Sequence, residues 1–293
     1  MTEPSRGPFL AVDWGTTNRR VYRVVEGVVE QTERDDRGIV AVGQGGFASD
    51  VAAIRTRMGD LPMLCAGMVG SNRGWINVPY AECPADLAAL ADKVVWVEPG
   101  RTAIVPGVAL RTAGHADVMR GEEVQLLGAV AVGLVPGDAV LCQPGTHCKW
   151  ATVTGGAITQ FATAMTGELF ALLHKHSLLA AQMTDSVEPG PDFLRGVADA
   201  ADDALLTRLF GVRADFVTGL REDAGAASYV SGLLIGTDVR AQHLGGRDIF
   251  LLADPNLGAL YAAAIAAAGG RAHMIDSQAA FVGGITSIWN RLP

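Results

Sequence analysis

The feature that most constrains this chain is a likeness to itself at a shift of 130 residues. LAVDWGTTNRRVYRV, starting at Leu10, falls on VLCQPGTHCKWATVT, starting at Val140. Gly15 meets Gly145, Thr16 meets Thr146 and Arg19 meets Lys149. Each copy is an apolar run, a Gly-Thr turn, a basic residue and a second β-prone run, which is the pattern of a hairpin. A hairpin recurring this far along argues for two related halves. In a chain with 36 glycines among 293 residues, so short a match also arises by chance.

The pattern between the copies supports two halves. From Gly121 onward Val124, Leu127, Ala131 and Leu134 recur at helical spacing with apolar residues between them, the mark of a buried helix. Pro136-Gly137-Asp138 ends it, and a strand begins at Ala139. Helices expected over residues 167–179, Ala226–Arg240, 256–268 and 278–289 then alternate with strands over 249–253 and 272–275. Such alternation argues an α/β fold. The boundary is placed at Pro136, giving halves 1–135 and 136–293. In the first half, strands are expected over 9–12, 21–25, Ile39–Val42 and 62–66, with a helix capped by Ser49 and ended by Gly59.

Composition removes several function classes. Lys+Arg of 23 against Asp+Glu of 31, a formal charge of −8, leaves little room for the basic face that nucleic acid requires. Hydrophobic residues at 49% and charged residues at 18% exclude a disordered chain. The four cysteines form no C-x-x-C pair, so neither a disulfide framework nor structural zinc is expected. The longest apolar run, residues 257–268, is too short to span a membrane. The opening MTEPSRGPFLAVDW has an acid and two prolines where a signal peptide would be basic and then apolar. A cytoplasmic location is expected.

Asp13-Trp14-Gly15-Thr16-Thr17 closes a strand with a carboxylate and then offers a small turn with two hydroxyls. Phosphate needs close backbone N–H groups and hydroxyl donors, and a nearby carboxylate can hold Mg²⁺. The competing reading is an ordinary hairpin with an Asx-type turn. Other nucleotide motifs fail: no lysine follows a glycine, so there is no P-loop. Gly43-Gln44-Gly45-Gly46-Phe47-Ala48 matches G-x-G-x-x-A, but the following strand runs into Gly67 rather than a ribose-binding acid. His174 and His176, two apart on a helix, face different ways and read as packing or solvated residues.

Two further segments carry polar chemistry. Gly67-Met68-Val69-Gly70-Ser71-Asn72-Arg73-Gly74-Trp75 follows a buried strand, where open α/β sheets bind ligands. Ser71, Asn72, Arg73 and Trp75 suit a small anionic ligand, or else form a glycine-rich surface loop. Arg120-Gly121-Glu122-Glu123 opens the buried helix. Its acids either complement the helix dipole or supply a base and an anion contact.

Together AVDWGTTNRRVY, CAGMVGSNRGW, VMRGEEVQLLGA, PGTHCKW and MTGELFALLHKHSLL resemble the 2-dehydro-3-deoxygalactonokinases, members of the acetate and sugar kinase, Hsp70 and actin superfamily. The resemblance implies two ribonuclease-H-like halves with an interdomain cleft, ATP and Mg²⁺ as cofactors, and phosphorylation of 2-dehydro-3-deoxy-D-galactonate to its 6-phosphate in galactonate catabolism. It assigns Asp13, Gly15, Thr16 and Thr17 to the first phosphate motif, with Asp13 as metal residue, and Gly145, Thr146 and Lys149 to the second. Residues 249–253 take the place of the adenosine motif, but Asp254-Pro255-Asn256 stands where Gly, Ser or Thr is expected. Glu122 or Glu123 becomes the general base, with Asp117 next in line. The sugar acid falls to Ser71, Asn72, Arg73, Trp75 and Arg120. The rival readings are a non-catalytic sugar-acid or nucleotide sensor and an ATPase or polyphosphate hydrolase. The oligomeric state stays open.

Overall fold

A computed structural model describes residues 6–221 and 224–292 of the chain. The opening residues 1–5, read above against a signal peptide, lie outside the described residues. Two compact units emerge. One comprises the chain up to Asp138, Ala151–Phe161 and the chain from Asp276; the other is Ala139–Trp150 with Ala162–Ile275.

The first unit starts with strands β1 (Phe9–Trp14), β2 (Arg19–Val25) and β3 (Val28–Asp35), then helices α1 (Ile39–Val42) and α2 (Phe47–Met58). Strand β4 (Met63–Gly67) follows, then β5 (Ala81–Glu82), α3 (Leu87–Ala91), β6 (Val95–Glu98) and β7 (Thr102–Ile104). The hairpin β8 (Val108–Thr112) and β9 (His115–Met119) leads into α4 (Glu122–Ala131). The main sheet has the order β3-β2-β1-β4-β7-β6. β1 pairs antiparallel to β2 and parallel to β4. Phe9, Leu10, Ala11 and Val12 are buried, as a central strand covered on both faces requires, whereas the edge strand β3 is largely charged and exposed.

The second unit holds β10 (Ala139–Gln143) and parts of the hairpin β11 (Cys148–Thr154) and β12 (Ala157–Ala164). Next come α5 (Thr166–His176), α6 (Pro191–Asp199), α7 (Leu205–Val217), α8 (Ala226–Arg240), β13 (Asp248–Leu251), α9 (Pro255–Ala267) and β14 (Arg271–Met274). The sheet order β12-β11-β10-β13-β14, with β13 parallel to both neighbours, repeats the 3-2-1-4 start of the first sheet. Both sheets thus have the ribonuclease-H-like arrangement. Cys142, Trp150, Phe193, Ile235, Ile249 and Tyr261 are among the residues of its core.

The chain ends in α10 (Ser277–Arg291), which belongs to the first unit and packs on α4. A Cβ on Gly128 would lie 2.0 Å from the Ala280 carbonyl oxygen, so only glycine permits this crossing. The compact units therefore differ from the expected 1–135 and 136–293: the break near Pro136 is close to Asp138, but α10 and Ala151–Phe161 group with the first unit. Two local expectations also change. Ile39–Val42 is a helix rather than a strand, and α2 begins at Phe47, with Ser49 inside its first turn donating to the Gly46 carbonyl. Among the described residues no helix is long and apolar enough to cross a membrane.

Candidate active site

The two Gly-Thr turns are built alike. In the first, the carbonyls of Gly15, Thr16 and Thr17 accept from the N–H groups of Ile39, Val40 and Gly38 at the start of α1. A Cβ on Gly38 would come within 2.4 Å of Thr16 backbone, so glycine is required for the turn to dock. In the second, the Thr146 carbonyl accepts from Glu168 N–H at the start of α5, and a Cβ on Gly167 would lie 2.3 Å from the Gly145 oxygen. Each turn is thus held from its carbonyl side by a helix start, with Thr16, Thr17 and Thr146 exposed.

The aligned basic residues are both buried. Arg19 is 2% exposed and pairs with Asp35 at 2.6 Å and Asp50 at 2.7 Å, its guanidinium 4.8 Å from the Trp14 ring centre. Lys149, expected as a phosphate ligand, is 4% exposed and donates to Thr163 Oγ1 at 2.9 Å. The residue at the place of Asp13 in the second copy, Gln143, has its amide oxygen buried without a donor.

Three backbone segments converge at the ends of β1 and β4. A Cβ on Gly67 would stand 2.8 Å from the Trp14 carbonyl, and one on Gly121 would stand 3.0 Å from Gly67 Cα. The first turn, the loop after β4 and the start of α4 meet there. Asp13 sits 3.5 Å from Arg20. Burial pushes its carboxyl up to about 6, Arg20 opposes this, and the charge of Glu122 adds to it.

The two candidate glutamates differ. Glu123 is 0% exposed and both its oxygens accept from Gly121 N–H, at 2.9 and 2.7 Å. Burial, and then the neighbouring Glu122, push it up to about 8. Burial thus favours its neutral form at the α4 entrance. Glu122 is half-buried, accepts from Arg120 N–H at 3.0 Å and lies close enough to Asp13 for their charges to interact. Asp117 lies on β9, half-buried, with an oxygen accepting from Val118 N–H.

The expected sugar-acid residues divide as well. The loop after β4 and the turn before α2 enclose a recess of about 330 Å³ lined by Gln44, Ser71, Asn72, Trp75 and Asn77 among others. Ser71 is buried and shapes the loop, donating to the Met68 carbonyl at 2.7 Å and accepting from Arg73 N–H. Trp75 stacks on Phe47, with ring centres 6.0 Å apart. Arg73 is exposed and has no ion pair among the described residues. Arg120 is 8% exposed; it donates to the Val78 carbonyl and lies over Tyr80, with Nε and Nη1 buried and unpartnered. Sequence reading missed Gln44, whose glycine-rich stretch was weighed only as a dinucleotide motif, and Asn77.

In the second unit a pocket of about 340 Å³ opens beside Gly145 and Thr146, walled by Phe170, Val187, Leu234, Ile235, Leu257 and Leu260. Behind it, Asp238 accepts from Trp150 Nε1 (2.9 Å), Thr166 Oγ1 (3.0 Å) and Tyr261 OH (2.8 Å). The unexpected Asp254 caps α9, accepting from Asn256 and Leu257 N–H, with Pro255 in the first turn. Its place is structural, and the leucines of α9 reach the pocket instead. No cluster of three or more metal-ligating side chains occurs among the described residues.

Comparison with known proteins bears on this arrangement. A family model described as 2-keto-3-deoxy-galactonokinase matches residues 13–288. The 2-dehydro-3-deoxygalactonokinase of Escherichia coli (strain K12) is 34% identical over 290 residues, covering 96% of this chain and 97% of that one. A relative from Rhizobium meliloti (strain 1021) is 33% identical over 300 residues, with 96% of each chain covered. A crystal structure from Sinorhizobium meliloti, described as a 2-dehydro-3-deoxygalactonokinase, aligns with a TM-score of 0.89 at 30% identity over 96% of this chain and 95% of that one. With the family model spanning nearly the whole chain and these relatives matched end to end, this chain belongs to the 2-keto-3-deoxy-galactonokinase family and is a kinase.

Proposed function

We propose that this kinase transfers the γ-phosphoryl group of ATP to the 6-hydroxyl of 2-dehydro-3-deoxy-D-galactonate, in the cytoplasm, as a step of galactonate breakdown. The observation that carries the reading is the convergence at Gly67 and Gly121, where the first turn, the loop after β4 and the α4 entrance meet in backbone contact. Phosphoryl transfer depends on positioning and charge stabilisation, and such a junction brings a base, a phosphate turn and an acceptor site together. The sugar acid fits the recess, with Asn72 and Trp75 against its body and Arg73, a guanidinium fork without an ion pair, on its carboxylate.

Glu122 takes the proton of the 6-hydroxyl as the O–P bond forms and ADP departs. Glu123 is fully buried, which leaves the half-buried Glu122 as the carboxylate open to substrate at the α4 entrance. In the first unit Thr16 and Thr17, on a turn fixed from its carbonyl side, offer hydroxyls to phosphate; in the second unit Thr146 does the same beside the apolar pocket at Gly145, which holds the nucleoside. Asp13, at the end of β1 just before the phosphate turn, is the carboxylate that would hold Mg²⁺ together with phosphate oxygens, which leaves Glu122 to act as the base. When bound, the ion neutralises phosphate charge.

The test is ADP release across a panel of aldonic and 2-keto-3-deoxy acids. ADP release should rise with 2-dehydro-3-deoxy-D-galactonate, and Glu122→Gln should lose about 10²–10⁴ in kcat while melting normally. Sugar-independent ADP release would make the chain an ATPase instead, and full activity of Glu122→Gln would place the base elsewhere.

A further inference from the structure

The pocket beside Gly145 carries an inference that rests on its reading as the nucleoside site. Beside the turn it offers three polar side chains: Thr166, Ser231 and Tyr261. Two are already committed, since the hydroxyls of Thr166 and Tyr261 both donate to Asp238. Ser231, on α8 and 5% exposed, has no side-chain partner among the described residues. None of the residues lining the pocket carries a carboxylate, a carboxamide or a cation.

A purine presents its six-membered edge in one of two opposite patterns. Adenine offers an amino donor beside a ring-nitrogen acceptor, and guanine a carbonyl acceptor beside a ring N–H donor. A site that fixes one pattern with a rigid donor or acceptor leaves that group unpaired against the wrong base and rejects it by about 10⁴–10⁵, whereas an apolar pocket discriminates by only about 10². A serine hydroxyl both donates and accepts and rotates to suit. We propose that this pocket accepts purine nucleotides as a class, with Ser231 meeting the variable edge of the base, so that GTP and ITP replace ATP as phosphate donors.

The experiment has two arms on the full chain. In the first, calorimetric titration with ADP and with GDP reads the pocket without turnover, and the two Kd values should agree within about 100-fold. In the second, kcat/KM for sugar-acid phosphorylation is measured with ATP, GTP and ITP, and the ratios should stay within the same bound. Val187→Trp, a half-buried loop position on the pocket wall, should raise KM for ATP and GTP together while KM for the sugar acid holds. Discrimination beyond about 100-fold in either arm overturns the inference and leaves the kinase reading standing. So does a normally melting Val187→Trp with unchanged nucleotide KM. Matched ADP and GDP binding without phosphorylation of any sugar acid would leave the pocket tolerant of both purines, overturn the exchange of phosphate donors and sink the sugar-acid reading.

Discussion

Replacing Glu123 by glutamine isolates one buried proton. The wild-type carboxyl is fully buried on Gly121 N–H, and its ordinary value of 4.5 is pushed up to about 8. The folded protein therefore keeps a proton that the unfolded chain has released anywhere between those values. Stability from this group is present in full below pH 4.5 and is lost as pH rises through about 8. At about 1.36 kcal/mol per pH unit, the wild type should give up as much as 4–5 kcal/mol across the window. Glu123→Gln keeps a carbonyl acceptor for Gly121 and has no proton to lose. Urea unfolding of both proteins, followed by tryptophan fluorescence from about pH 5 to pH 9, measures the difference. The gap should move in favour of the variant by about 1.4 kcal/mol per pH unit and level off near pH 8. A gap that stays flat would refute the reasoning, because Glu123 would then be charged in the fold and a second candidate for the base.

Arg73→Lys should raise KM for the sugar acid by about 10- to 100-fold with kcat nearly constant, as expected for a lost charged contact made equally in the ground state; an unchanged KM places the carboxylate elsewhere. Arg120→Lys, buried between the Val78 carbonyl and Tyr80, should lower the melting temperature more than it changes KM, and a selective KM effect would return Arg120 to the substrate site. Asp238→Ala strips the acceptor from three buried donors and should cost about 3–9 kcal/mol, at 1–3 kcal/mol per bare group, with Asp238→Asn costing less than half of that; equal losses in urea unfolding would show that hydrogen bonding is not what Asp238 supplies. Gly128→Ala forces a methyl against the Ala280 carbonyl and should cost about 3 kcal/mol, and a neutral result by the same measurement would mean that α10 can shift off α4 freely.

What the sequence disclosed follows from how local each signal is. The two hairpins are legible because a continuous apolar run, a Gly-Thr turn and a β-branched run all lie within fifteen residues. The four residues Ile39–Val42 are not, since a short apolar run reads equally as strand or helix until Gly38 docks it on the first turn. Arg19 and Lys149 align, and both are buried: alignment locates a side chain along the strand but does not report its burial. The glutamates at 122 and 123 were inseparable by spacing, and only burial distinguishes them. Gln44 reaches the recess through contacts with a loop almost thirty residues on, which no local pattern records. The same is true of α10, whose allegiance to α4 depends on two glycines 156 positions apart, Gly128 and Gly284.

That crossing reverses the order in which the molecule is finished during synthesis. Domains ordinarily fold as they emerge, the earlier before the later. Here every residue of the second unit has been made by Ile275, while the first unit still lacks α10. A nascent chain halted before Ser277 would carry a finished second unit and a first unit whose α4 leaves Val124 and Gly128 uncovered, facing water where α10 belongs. An exposed apolar face of that kind invites association with other chains. The unit that begins first on the ribosome is the one that closes last.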